Sequence, residues 1–232
     1  MSCLVSALLY YSFDVESVTN QNTLKNLGYG GPAYNAQLMN GLIISTKDVV
    51  EGSGAVTFQS SLSQYVKIPQ FTTGSNGLSI LFWFKFSGSG SNTMLFEFGN
   101  GTNIDTIAFS PNARGDIDLI CSAGGVPSGV FANVLKLSIN DNIWRHAAWT
   151  MSPSGIWELY LDASLRVTYS GAPYPNSMSR SLNYLGRGES DSGPLYLTGT
   201  IDEFYLFEGV LSAPQIEQMF FRGDAIKSYG AK

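Results

Sequence analysis

Glycoside hydrolysis needs two carboxylates flanking the scissile bond, and Asp116-Ile-Asp118 places two on one face of a strand. No glutamate stands at a spacing that completes the pair, and Glu97, in Leu95-Phe-Glu-Phe, is alone on its segment. His146 is the chain's one histidine, so a Ser-His-Asp or zinc-hydrolase reading would rest on that residue alone. Set between small residues, it reads as structural. Cys3 and Cys121 are too few for a disulfide scaffold or a metal knuckle and read as buried free thiols. Recognition chemistry is better supplied. Tyr34, Trp157, Tyr169 and Tyr174 are candidate rings for stacking on sugar faces. Tyr174 lies in Gly171-Ala-Pro-Tyr-Pro-Asn, where the prolines stiffen a loop able to hold the ring outward. Trp83 and Trp144 fall in core-strand patterns, whereas Trp149 and Trp157 sit among bulky residues on both faces. Arg-Gly-Asp occurs at 114–116 and 222–224, and turn chemistry accounts for both, Gly223 serving as a helix C-cap. Asn100-Gly-Thr is an N-glycosylation sequon, with meaning only in a secretory compartment.

These residues need a scaffold, and the scaffold reads as all-β. Period-two alternation broken by Gly, Ser, Asn and Pro clusters runs from Ala55 to Phe207. Val66 and Ile68 share one strand face; Ile80, Phe82, Phe84 and Phe86 share another, with Leu81, Trp83 and Lys85 opposite, so that strand is buried on both sides. Met94, Phe96 and Phe98 alternate before a turn, and Ile117, Leu119 and Cys121 after it; these stretches read as neighbouring strands of a meander. Residues 156–162 and 195–207 complete the series, while 20–31 reads as a long surface loop. Ser212 with Gln215 forms a capping box, Pro214 suits a first turn, and Ile216, Met219 and Phe220 share a helical face, which predicts one short amphipathic C-terminal helix.

With 44% hydrophobic and 13% charged residues the chain has material for one core, and it is expected to be a single domain over 1–232. A net charge of -5 argues against nucleic acid or an anionic membrane surface as partner. The N-terminus lacks the basic region and cleavage site of a signal peptide, and no apolar run reaches the roughly 20 residues that span a bilayer. The localisation is left open.

Several blocks, in order, resemble the laminin-G-like members of the concanavalin A-like lectin and glucanase superfamily. They are Leu9-Tyr-Tyr-Ser-Phe-Asp, Asn40-Gly, Ala55-Val-Thr-Phe, Tyr65-Val-Lys-Ile-Pro and Leu78-Ser-Ile-Leu-Phe-Trp-Phe-Lys, then Trp144-Arg-His-Ala-Ala-Trp-Thr with Ser154-Gly-Ile-Trp-Glu-Leu-Tyr-Leu-Asp, and finally Gly199-Thr-Ile-Asp-Glu-Phe with the helix. The resemblance implies a two-sheet antiparallel jelly-roll sandwich whose concave face or loop rim binds glycans or proteins. It also implies a structural calcium near Asp14 and Asp202, with Asn40 adding a carbonyl and Glu16, Asp48 and Glu51 close enough in sequence to help. The Glu-x-Asp-x-x-Glu strand motif of glucanase relatives is absent. Asp162-Ala replaces the family's Asp-Gly turn, which predicts an altered hairpin between Leu161 and Leu165. The expected function is thus a non-catalytic, lectin-like recognition or adhesion module for carbohydrate or a glycoprotein. The alternative is a structural assembly protein, such as a virion or surface-layer component, that contacts protein subunits or oligomerises; a polysaccharide-degrading enzyme comes third.

Overall fold

The computed structural model describes residues 6–19, 22–87, 93–102, 104–123, 126–131 and 133–229. Cys3 lies outside them. Two eight-stranded antiparallel sheets face each other. The first runs Ser164–Ser170, Ile156–Leu161, Arg145–Met151, Leu78–Phe86, Gly199–Glu208, Ala55–Phe58 and Ile44–Ser45, with Leu9–Tyr11 on the same edge of Gly199–Glu208 as Ala55–Phe58. The second runs Val126–Phe131, Ile117–Ala123, Ile107–Pro111, Phe96–Gly99, Leu182–Leu185, Tyr65–Ile68, Ala36–Met39 and Thr23–Leu24. This is the expected two-sheet antiparallel sandwich.

Alternation explains the core. Ile80, Phe82, Phe84 and Phe86 point inward from Leu78–Phe86, as do Val66 and Ile68, and Ile117, Leu119 and Cys121, from the opposite sheet. Phe82 meets Phe96 and Phe109 edge to face, with centroids 5.6 and 5.1 Å apart, and stacks on Phe204. Such offset and T-shaped pairs contribute about 0.5–1.5 kcal/mol each beyond their buried area. Cys121 is a free buried thiol, pushed up to about 12 by that burial.

Three expectations about elements are corrected. The strands ending at Phe98 and beginning at Ile117 are not neighbours: Ile107–Pro111 lies between them and pairs with both. Residues 195–207 are not one strand; Leu195–Tyr196 pairs with Arg187–Gly188, and Gly199–Glu208 joins the first sheet. The Asp162-Ala163 hairpin keeps the two-residue geometry an Asp-Gly turn would give, with φ of 51° and 59°, and Leu161 pairs with Ser164. Ala163 therefore bears left-handed strain instead of changing the loop.

The helix Ala213–Tyr229 is longer than expected and passes through Gly223, which caps nothing. Its start is as read: the Gln215 side chain accepts from the Ser212 N–H at 2.8 Å. Ile216 and Met219 cover Leu81, Ala148, Tyr160, Tyr205 and Phe207 on the outer face of the first sheet. Phe220 stacks on Trp83, and His146 is buried against both rings, at centroid distances of 5.2 Å from Trp83 and 5.8 Å from Phe220.

Candidate ligand-binding surface

The residues expected to hold calcium fasten loops instead. In Gly199–Glu208 both Ile201 and Phe204 reach the core, so Asp202 and Glu203 form a bulge where pairing passes from Ala55–Phe58 to Leu9–Tyr11. One Asp202 oxygen accepts the N–H groups of Val50 (2.9 Å) and Glu51 (3.3 Å), and the other accepts that of Glu203 (2.9 Å). Asp14 accepts the Ser53 N–H and hydroxyl. A Cβ on Gly52, at φ +72°, would lie 1.9 Å from the Asp14 carboxylate, so only glycine lets the loop close there. Asn40 is engaged elsewhere, donating to the Ser63 carbonyl. A calcium ion needs several oxygen ligands, whereas both oxygens of Asp202 and one of Asp14 already accept from loop N–H groups. Among the described residues no group of three or more His, Cys, Asp or Glu could hold a metal. The residues in this arrangement do not fit the ion.

Glu203, in the left-handed region and fully buried, accepts the hydroxyls of Tyr10 and Tyr205, whose rings stack 4.3 Å apart. Burial pushes both Asp202 and Glu203 up to about 8, outweighing the donors that favour their charge.

The candidate rings divide. Trp157 is 0% exposed, with its indole N–H donated to the Pro173 carbonyl, so it presents no face to a ligand. The Tyr174 ring packs on the core, and its hydroxyl bridges the Gly77 N–H and the Gly74 carbonyl; the loop is pinned by the ring and does not hold it outward. Tyr34, half-buried in the turn Gly31–Tyr34, and Tyr169, stacked on Phe131 at 4.1 Å, also lean on the core but keep part of their surface. Trp144 departs from its core reading. It is only half-buried, its N–H donates to Asp48, and the Lys85 ammonium lies over the ring. Trp83, Trp149 and Trp157 are the buried tryptophans.

The carboxylates that suggested hydrolysis are tied to backbone. Asp116, 3% exposed, accepts the N–H groups of Ile117 and Leu135; Asp118 accepts from the Asn112 amide and the Asn133 N–H. Glu97, pushed up to about 7 by burial, accepts the Glu189 N–H. Arg222 of the second Arg-Gly-Asp pairs with Glu51, and the Asn100 amide is held between Ser179 and Ser181.

A patch that the sequence did not single out stands on the outer face of the second sheet. Val66 and Ile68 point inward, so Tyr65 and Lys67 point outward; Tyr184 lies across from Lys67 on one side and Glu97 on the other, and Gln37 is across from Lys67. Tyr65 meets Tyr184 edge to face at 5.5 Å and Tyr196 at 6.2 Å. The Arg187 guanidinium lies over both Tyr65 (4.9 Å) and Tyr184 (4.3 Å) and pairs with Glu189 at 2.7 Å. Tyr65 and Tyr196 remain half-buried, and Lys67 and Gln37 are exposed. Rings, a fixed guanidinium and exposed amide and ammonium groups thus share one surface. The outward half of the 65–68 alternation was the available signal.

Two facing antiparallel sheets with this strand order make a concanavalin A-like sandwich. The chain belongs to the concanavalin A-like lectin/glucanase superfamily, in its laminin-G-like branch, whose family model matches residues 59–217. The resembling blocks before residue 59 lie outside that match. Comparison with curated proteins finds no match. Among solved structures, domain 4 of an extracellular arabinanase from Geobacillus stearothermophilus, in complex with arabinotriose, is similar with TM-score 0.69 and 17% identity, covering 93% of this chain and 98% of that one. The botulinum neurotoxin serotype D ligand binding domain, in complex with N-acetylneuraminic acid, gives 0.61 and 15%, covering 94% and 51%. The binding domain of Paraclostridial Mosquitocidal Protein 1 gives 0.61 and 15%, covering 93% and 52%. The chain spans about half the length of these two toxin domains. At such identities the likeness is one of fold.

Proposed function

We propose that this chain is a non-catalytic carbohydrate-recognition module that binds sugar on the outer face of its second sheet. The observation that carries this reading is the patch of half-buried Tyr65 and Tyr196 beside Arg187, which lies over the buried Tyr184 ring. Sugar recognition wants aromatic surface for the CH face and a few fixed polar groups for the hydroxyls, and the patch offers both. Catalysis is disfavoured because Asp116, Asp118 and Glu97 each hold backbone or amide N–H groups. The similar domains in complex with arabinotriose and N-acetylneuraminic acid suggest the first probes.

A glycan array followed by calorimetry on the best ligands tests this. Binding is expected for the whole chain and weakened about ten-fold by Tyr196→Ala and by Arg187→Ala, the scale of one lost stacking or charge-assisted contact. An array with no selective binder, or variants that bind as well as the parent, would sink the reading. Because Asp14 and Asp202 are engaged in fastening the 50–53 loop, the affinity is expected to be the same with calcium and with a chelator. The assembly alternative draws on a hollow of about 320 Å³ beside which Val15 and Ile43 stand 50% and 72% exposed. Concentration-dependent oligomers abolished by Ile43→Lys, alongside a silent array, would favour it.

A further inference from the structure

The first Arg-Gly-Asp turn lines a hollow of about 340 Å³ bounded by Arg114, Asp116, Asn133, Lys136, Leu137 and Ser138. That volume is at the lower end of the about 300–1,000 Å³ typical of small-ligand sites. Acidic groups outnumber basic ones in this chain, 18 to 13. The ion pairs among the described residues engage Lys85, Arg145, Arg187 and Arg222; Arg114 and Lys136 are in none of them, and both are exposed. Two unpaired cations therefore converge on one hollow.

The hollow is also built to hold its shape. Gly115 sits at φ +75°, where an added Cβ would lie 2.5 Å from the Ser138 hydroxyl, and its carbonyl accepts the Ile139 N–H at 2.8 Å. The turn carrying Arg114 is thereby fastened to the turn carrying Lys136. The Asp116 carboxylate reaches across to the Leu135 N–H at 3.0 Å while also accepting that of Ile117, and Asp118 accepts from Asn112 and Asn133. One oxygen of each of these carboxylates is taken up by N–H donors, and neither carboxylate forms an ion pair with Arg114 or Lys136.

We infer that this hollow is an anion subsite for the carboxylate or sulfate of an acidic saccharide, with Arg114 and Lys136 as its cations. The inference rests on the carbohydrate reading above and names its ligand class. A guanidinium and an ammonium on fixed turns suit a planar carboxylate or a sulfate, because charge-assisted hydrogen bonds are the strong ones and little ordering remains to be done on binding. The motif then serves recognition through its arginine, while its aspartate is a scaffold residue. Buried to 3% exposure, Asp116 is not displayed as an adhesion tripeptide would require.

The test is calorimetry on the whole chain with four probes: a uronate-bearing oligosaccharide, its carboxyl-reduced neutral counterpart, a sulfated oligosaccharide and inorganic sulfate. Acidic saccharides are expected to bind at least about ten-fold tighter than the neutral one, with that advantage shrinking in 0.5 M salt and falling about ten-fold in Arg114→Gln and in Lys136→Gln. Both side chains are exposed, so unchanged melting curves should accompany the loss; Asp116→Asn, which disturbs the scaffold, should lower melting and binding together. Equal binding of acidic and neutral probes, or acid binding untouched by both Gln variants, overturns the subsite. Sulfate binding that depends on Arg114 without any saccharide binding overturns the saccharide assignment. If Tyr196→Ala abolishes neutral binding while the Gln variants keep acid binding intact, the carbohydrate reading stands and the subsite falls.

Discussion

The outer faces of the two sheets are made from the same materials and end in opposite states. On the first, Trp83, His146, Tyr205 and Phe207 lie under Ile216, Met219 and Phe220 of the helix, and the buried Glu203 carboxyl is shared by two tyrosine hydroxyls. On the second, Tyr65, Tyr184 and Tyr196 surround Arg187 with no helix above them, and Lys67 and Gln37 stay in solvent. Aromatic content does not separate the two; the terminal helix does. It turns one face into a second small core and leaves the other without such a cover.

The largest effect should come from opening the closed face. Trp83 is 2% exposed and stacked against Phe220, so Trp83→Ala is expected to cost about 3–5 kcal/mol in urea unfolding. Tyr196→Ala on the open face should cost under about 1 kcal/mol while weakening sugar binding about ten-fold. Comparable stability losses at the two positions would erase the distinction between a packing face and a binding face.

A proton-linked difference should follow in size. Asp202 and Glu203 under the closed face rise to about 8 from 3.8 and 4.5, and Glu97 on the open face rises to about 7 from 4.5. Each carboxyl holds its proton more tightly folded than unfolded. The stabilisation is therefore complete below about pH 4 and is lost as pH rises through 7 to 8. Melting temperature should be higher at pH 5 than at pH 9. The Glu203 charge also helps to raise Asp202, so Glu203→Gln should flatten the profile more than Glu97→Gln. A profile rising toward pH 9, or one flattened more by Glu97→Gln, would reverse the assignment.

What could be read in advance follows the same division. Inward alternation at Val66, Ile68 and Phe82, and the helical spacing of Ile216 and Met219, are local patterns, and each landed in the expected core or contact. The outward halves of the same strands were not legible, because whether Tyr65 or Trp83 keeps surface depends on segments distant in sequence, the 187–196 ribbon and the terminal helix. Trp144 was taken for core from its neighbours, yet Asp48 and Lys85, both remote, give it a surface role. Tyr174 was expected to project because of its prolines, whereas Gly74 and Gly77, about 100 positions upstream, draw its hydroxyl in. Asp14 and Asp202 were read as metal ligands from the resemblance, and sequence does not reveal that backbone N–H groups of residues 50–53 donate to both.

The smallest effect calibrates the others at a site touching neither face. Ala163 holds φ +59° in the hairpin joining Ile156–Leu161 to Ser164–Ser170, next to Asp162, whose carboxylate accepts the His146 N–H at 2.9 Å. A left-handed alanine costs about 1–2 kcal/mol, and glycine removes that strain while adding freedom to the unfolded chain worth about 0.4–1 kcal/mol. Ala163→Gly should therefore stabilise the protein by about 0.5 kcal/mol in urea unfolding and leave sugar affinity unchanged. Destabilisation would mean that the turn is unstrained. A change in affinity would mean that the hairpin, and not only the open face, takes part in binding.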